Sequence, residues 1–194
     1  MKKFLLTVAC ALLVAAVPAL AGQLQGTVSV TGLRNAADAV VYVDAIPGKT
    51  FAPPTEHPVM DQKDMEFQPH VMVVTTGTTV DFLNTDPFLH NVFSPDKCAD
   101  RFNLGSWPQG QKRSHKFTKE CAATLLCNVH PEMEGYVVVV PTPYHAVTDA
   151  TGAYTIKDIP DGTYTVKVWH PKQAGTSQQV KVSGNTTLNF QLHK

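Results

Sequence analysis

Once the first twenty or so residues are passed, helical periodicity is almost absent from the chain, which argues against a helical fold. No block of like charge and no basic stripe occurs, so neither nucleic acid nor an anionic membrane surface is an expected partner. No second apolar stretch is long enough to span a bilayer, and membrane insertion is not expected. Cysteine is scarce, with four in 194 residues. Each of the four therefore has to be accounted for.

The N-terminus is an exception to the lack of long apolar runs. Lys2 and Lys3 precede an apolar stretch from Phe4 to Leu20 that is broken by Pro18, and Ala19-Leu20-Ala21 has the small-x-small pattern of a cleavage site. Residues 1–21 are expected to be a signal peptide, and the mature chain to be exported to the periplasm. Cys10 is not read as a lipid anchor, because apolar sequence continues for ten residues beyond it. Removing the signal leaves 194 − 21 = 173 residues, and a formal charge of 14 − 16 = −2 once Lys2 and Lys3 are gone. That length holds one large or two small domains. Three cysteines then remain, Cys98, Cys121 and Cys127, and an odd number in an oxidising compartment leaves one thiol with another use.

What the chain has instead is short runs rich in Val, Thr, Phe and Tyr, bounded by Gly, Pro, Asn and Asp. These predict strands near 25–30, 39–45, 59–62, 68–74, 79–83, 90–93, 114–117, 123–127, 136–140, 153–156, 162–169, 178–182 and 187–192. Turn signals at "TTGTT", "DATGA" and "PDGTY" fall at spacings typical of β-sandwiches. The fold class is all-β. Residues 49–56 and 141–144, both containing proline, read as linkers.

The chemistry concentrates in "LLCNVHPEMEGYVVVV", where Cys127, His130 and Met133 interrupt two apolar runs at intervals of three. A thiolate, an imidazole and a thioether need one more imidazole to form a trigonal His₂Cys plane with a long axial Met, the blue-copper arrangement. Of the eight histidines, His90 in "VDFLNTDPFLHNVFS" is suitably placed, after a strand and a polar turn and before a new apolar run. A thioether is a poor ligand for zinc, whereas copper in both oxidation states accepts two nitrogens and two sulfurs. The bland alternative is a buried cysteine, two satisfied histidines and a core methionine.

The stretch "FxPxVxVxxxGTTVxFxNxD" followed by "HNV", and later by "CNVHPEM", closely resembles the cupredoxins, and the spacing C-x₂-H-P-x-M is most like that of amicyanin and its plastocyanin-like relatives. The resemblance covers about residues 55–142. It implies His90, Cys127, His130 and Met133 as ligands of one type 1 copper ion. Asn91 is similar to the cupredoxin asparagine that ties the two ligand loops together, its backbone N–H donating to the thiolate. Pro131 has no N–H to offer as a second donor, and fewer donors to the sulfur lower the potential. Cys98 and Cys121 depart from the usual family pattern. A disulfide is the natural reading for them, closing a loop of about 24 residues and contributing about 3 kcal/mol in the chain-entropy model; a second metal site with His115 is the alternative.

"AVTDATGAYTIKDIPDGTYTVKVWH" resembles the carboxypeptidase regulatory-like, transthyretin-like modules. Such modules need earlier strands of the form G-x-V and A-x-V-x-V, which occur at 26–28 and 39–43. The expected architecture is therefore a cupredoxin Greek-key sandwich, 55–142, inserted into a small regulatory-like sandwich made from 22–54 and 143–194. The expected function is one-electron transfer, not catalysis, with a dehydrogenase or cytochrome as redox partner and the edge of His130 as the electron port. No H-x-H pair is present, as an enzyme with further copper centres would need. A copper store or carrier without an electron-transfer role is the alternative. The expectation for Met60, Met65 and Met72 is ordinary core or surface use, for Trp169 and His170 packing, and for Glu132 and Glu134 solvation.

Overall fold

The computed structural model describes residues 21–194, so the signal-peptide reading falls outside the described residues except at Ala21. In chain order the strands are β1 (Ala21–Val30), β2 (Val40–Val43), β3 (Val59–Lys63), β4 (Glu66–Gln68), β5 (Val71–Thr75), β6 (Thr79–Asn84) and β7 (His90–Phe93). A 3₁₀ turn at Lys97–Ala99 precedes β8 (Asn103–Trp107), β9 (Lys112–Lys116), β10 (Cys121–Leu126) and β11 (Glu134–Val140). The chain ends with β12 (His145–Val147), β13 (Ala153–Pro160), β14 (Gly162–His170), β15 (Gln173–Val182), β16 (Asn185–Thr187) and β17 (Phe190–Leu192). No α-helix occurs among the described residues, and no helix there is long and apolar enough to cross a membrane.

Strands β3 to β11 form two sheets, one ordered β5-β11-β10-β7-β8 and the other β4-β3-β6-β9. Met60 and Phe82 from the second sheet meet Val92, Trp107, Leu125 and Val137 from the first in a shared buried core. The flanking strands form the other two sheets. β1 pairs antiparallel with β13 and parallel with β16 and β17, while β2 lies antiparallel between β12 and β14. Their own core joins Leu24, Val28, Val41 and Val43 to Ile156, Val166, Val168 and Val182. Among the described residues, no ladder links a strand of residues 59–140 to a strand outside that range. The all-β fold is thus a sandwich inserted between two pieces of another.

A third apolar cluster joins the two sandwiches: Val40, Val71, Tyr136, Val138 and Val140, with Tyr42 and Trp169 against it. It explains the unbroken run "YVVVV". In β11, Val137 and Val139 point into the first core while Tyr136, Val138 and Val140 point into the junction, so both faces are buried. At the edge of this junction His70 Nδ1 lies 2.8 Å from Asp38 Oδ2. That hydrogen bond raises the imidazole pKa above its ordinary value and lowers that of the carboxyl.

The expected strands all occur, with shifted ends, and four more result: the runs at 68–74 and 187–192 are each divided in two, and β8 and β12 are additional. The run at 68–74 is divided, because β4 folds back on β3 and Pro69, which has no N–H, separates it from β5. β8 carries no alternating pattern: it is an edge strand with Gly105 at φ +73° and a register shift against β7. β12 is three residues long, too short to show a period.

Candidate metal centre

His90 opens β7 and is fully buried, and Cys127 follows β10 with 3% of its surface exposed. His130 and Met133 lie in the loop between β10 and β11, with Met133 buried and His130 partly so. Cys127 Sγ is 4.0 Å from His90 Nδ1 and 4.0 Å from His130 Nδ1, and the two nitrogens are 3.1 Å apart. A point in the plane of this triangle lies about 2.0 Å from both nitrogens and about 2.4 Å from the sulfur, close to the bond lengths imidazoles and thiolates make to a metal. The donor set therefore fits a metal ion. The Met133 N–H donates to the His130 carbonyl at 3.0 Å, which keeps the thioether in the same turn.

The loop is held from both ends. Pro131 cannot donate to a ladder, so the chain turns instead of extending β10. The Asn128 N–H donates to Asn91 Oδ1 at 3.2 Å, and the Asn91 N–H donates to Cys127 Sγ at 3.4 Å. Asn91 Nδ2 also donates to Asn103 Oδ1 and to the Gly105 carbonyl, at 2.9 and 2.8 Å. The loop leaves through Gly135, where a Cβ would come within 2.7 Å of Phe67 Cβ. Only glycine lets β11 start so close to β4.

Phe88 lies edge-on to both imidazoles, with ring centroids 5.2 Å from His90 and 5.4 Å from His130. It is 41% exposed, and Leu89 and Val129 beside the histidines are exposed as well, so the mouth of the site is apolar. Behind His90, Nε2 donates to Asp86 Oδ2 at 2.8 Å. Burial works against the charge of this carboxyl, but hydrogen bonds from the Met65 N–H, His90 and the Asp64 N–H outweigh it and lower the pKa. Asp86 was not expected from the sequence. Its position four residues before His90 was visible, but not that its side chain turns inward.

Cys98 and Cys121 are joined in a disulfide with Cα atoms 5.9 Å apart, and Cys127 is the free cysteine among the described residues. The bond removes both thiols from the alternative metal site; His115 instead stacks on Phe102 with centroids 3.8 Å apart. Met60 and Met72 are buried in the core, while Met65 is 45% exposed. Trp169 packs against Tyr136, and His170 is buried and accepts the Lys172 N–H. Glu132 and Glu134 are exposed, the latter accepting the Tyr136 hydroxyl at 2.5 Å.

A β-sandwich that brings a thiol, two imidazoles and a thioether to one pole has the form of a cupredoxin. Residues 56–140 match the family of copper binding proteins of the plastocyanin/azurin type, and residues 132–193 match the carboxypeptidase regulatory-like domain. The chain thus contains one segment similar to the cupredoxins and one similar to the regulatory-like domain. Among solved structures, it is similar to a reduced single-substitution form of amicyanin, with 26% identity over 53% of this chain and 98% of that one, TM-score 0.42. It is also similar to a purple cupredoxin from Nitrosopumilus maritimus, with 25% identity over 42% and 98% of the two chains, TM-score 0.39. A copper-containing nitrite reductase from Thermus scotoductus SA-01 matches at 24% identity over 52% of this chain, TM-score 0.43, but the match spans only 25% of that enzyme. No curated protein matches the chain.

Proposed function

We propose that this protein is an exported type 1 copper protein that carries single electrons between redox partners and has no catalytic step of its own. His90, Cys127, His130 and Met133 are its metal ligands. The observation that carries the reading is the buried triangle of one sulfur and two imidazole nitrogens, 4.0, 4.0 and 3.1 Å on its sides, with Met133 in the adjoining turn. When bound, copper supplies a one-electron couple between Cu(II) and Cu(I).

The protein's part is to hold the ligands nearly still. The Asn91 N–H and the packing around Cys127 fix the sulfur, and His90 Nε2 donates to the Asp86 carboxylate. A donor set that moves little between oxidation states keeps the reorganisation small. His130 lies partly exposed beside Phe88, Leu89 and Val129, so its edge is the short route to a docked partner. A cytochrome or a dehydrogenase is the kind of partner this surface serves. The regulatory-like sandwich is assigned a structural or docking role, and the signal-like N-terminus and the disulfide support the periplasm as the compartment.

The test is optical. Copper-loaded protein is expected to show an intense thiolate charge-transfer band and a narrow copper hyperfine splitting in electron paramagnetic resonance. Cys127→Ser is expected to abolish the band while far-ultraviolet circular dichroism stays unchanged. Colour that survives this substitution rules the assignment out. Colourless but tight and exchangeable copper binding by the wild type instead favours a storage or carrier role.

A further inference from the structure

We propose that Asp86 is a positioning residue for His90, one that fixes the ring with Nδ1 toward the metal and lowers the reduction potential of the centre by placing a buried charge on the opposite nitrogen. This rests on the copper reading above.

The geometry has three parts. His90 is fully buried and Asp86 only 5% exposed, with His90 Nε2 donating to Asp86 Oδ2 at 2.8 Å. The carboxylate is itself held: Oδ1 accepts the Asp64 N–H at 2.8 Å and Oδ2 the Met65 N–H at 3.0 Å. Those two donors sit in the two-residue turn between β3 and β4, where Asp64 and Met65 take φ of +56° and +61°. A positive φ is uncommon for Met, and this turn aims both N–H groups at one carboxylate. Finally, Asn84 shapes the loop that carries Asp86. Its Oδ1 accepts the Asp86 N–H at 3.0 Å, and its Nδ2 donates to the Phe88 and Trp107 carbonyls at 2.8 and 2.9 Å. Among the described residues, no lysine or arginine pairs with Asp86; its ion-pair partner is His90.

A neutral acceptor behind His90 would orient the ring and do little more. A carboxylate also makes the ring a stronger donor through Nδ1, and the more highly charged oxidised ion gains more from this than the reduced one. Removing such a partner from a ligand histidine costs about 10–100-fold in metal affinity.

Three variants separate the roles. Asp86→Asn keeps one oxygen for His90 and Met65 but loses the charge. Asp86→Leu loses both oxygen and charge. Asp100→Asn removes an exposed carboxylate at a left-handed position that Asn tolerates. The reduction potential of each copper-loaded protein is measured by optical redox titration. Asp86→Asn is expected to shift the potential upward by at least a tenfold change in the Cu(II)/Cu(I) affinity ratio, about 59 mV for a one-electron couple, with Asp100→Asn unmoved. A coloured Asp86→Asn protein at the wild-type potential overturns the charge effect.

Nitrogen-15 spectra of the metal-free wild type give a second readout that needs no variant to fold. The His90 proton is expected on Nε2, and finding it on Nδ1 overturns the positioning role. In Asp86→Leu the preference for Nε2 is expected to weaken; an unchanged ring signal counts against Asp86. A wild-type protein without the thiolate band defeats the copper reading instead, while the nitrogen spectra still decide the contact between Asp86 and His90.

Discussion

Asn91 shows how much one side chain does at this site. Its backbone N–H reaches Cys127 Sγ, its Oδ1 takes the Asn128 N–H, and its Nδ2 reaches Asn103 and the Gly105 carbonyl. Strands β7 and β8 and the Cys127 loop therefore meet on a residue only 2% exposed. Asn91→Ala keeps the N–H to the sulfur but leaves the Asn128 N–H and the Gly105 carbonyl without this partner. Asn128 and Gly105 are exposed, so water replaces the lost partner in part, and the expected cost is about 0.5–1.5 kcal/mol for each hydrogen bond removed, read as a lower denaturant midpoint of the metal-free protein. A change within about 0.5 kcal/mol, the usual range for inconsequential surface substitutions, would contradict this. The role of Asn91 was legible because it stands beside His90 in "HNV", whereas Asp86 was hidden in a polar turn whose side chains normally face water.

At the scale of elements, the Cys98–Cys121 bond ties together the excursion that links the two inner sheets. Between these cysteines lie β8, at the edge of the five-stranded sheet, and β9, at the edge of the four-stranded sheet facing it. Neither edge has much apolar surface of its own: β8 buries little beyond Trp107, and β9 reads "KRSHK". Charge along β9 also discourages pairing with another chain. Alkylation of the unreduced, metal-free protein is expected to label Cys127 alone. Replacing Cys98 and Cys121 together with serine is expected to cost about 3 kcal/mol in the chain-entropy model, seen in the denaturation midpoint. Three labels on the native protein would reject the bond in solution. Strand β11 was readable as a strand from its apolar run, but that run has no alternation, so its second buried face and the sandwich behind it were not.

At the scale of the whole molecule, the two flanking pieces depend on each other. The core that contains Ile156, Val166 and Val182 also contains Leu24, Val28, Val41 and Val43, which lie more than a hundred residues earlier. Gly26 shows how closely the pieces fit, since a Cβ there would lie 1.8 Å from the Leu188 carbonyl oxygen. We therefore propose that residues 22–54 and 143–194 form one folding unit around the copper-binding segment. Residues 22–52 joined to 143–194 by a short Gly/Ser linker are expected to give a β protein that unfolds cooperatively, with Val40, Tyr42 and Trp169 newly exposed where β11 was. Residues 143–194 alone are expected to remain unfolded, because without β1 and β2 both of their sheets lose a central strand. Equal folding of the short piece, judged by circular dichroism and thermal melting, would show two sandwiches in tandem instead.

Sequence alone determined the all-β character and set out the candidate donor atoms. Both depend on residue type and short spacing: Val, Thr and Gly at strand and turn intervals, and Cys127, His130 and Met133 within seven residues. Tertiary structure decided which strands are neighbours, that the His90 and Cys127 loops converge, and that Asp86 stands behind the buried ring. Those are contacts between segments far apart in the chain. They are set by strand register, where a slip of one residue turns every side chain to the opposite face, and no local pattern of residues specifies that.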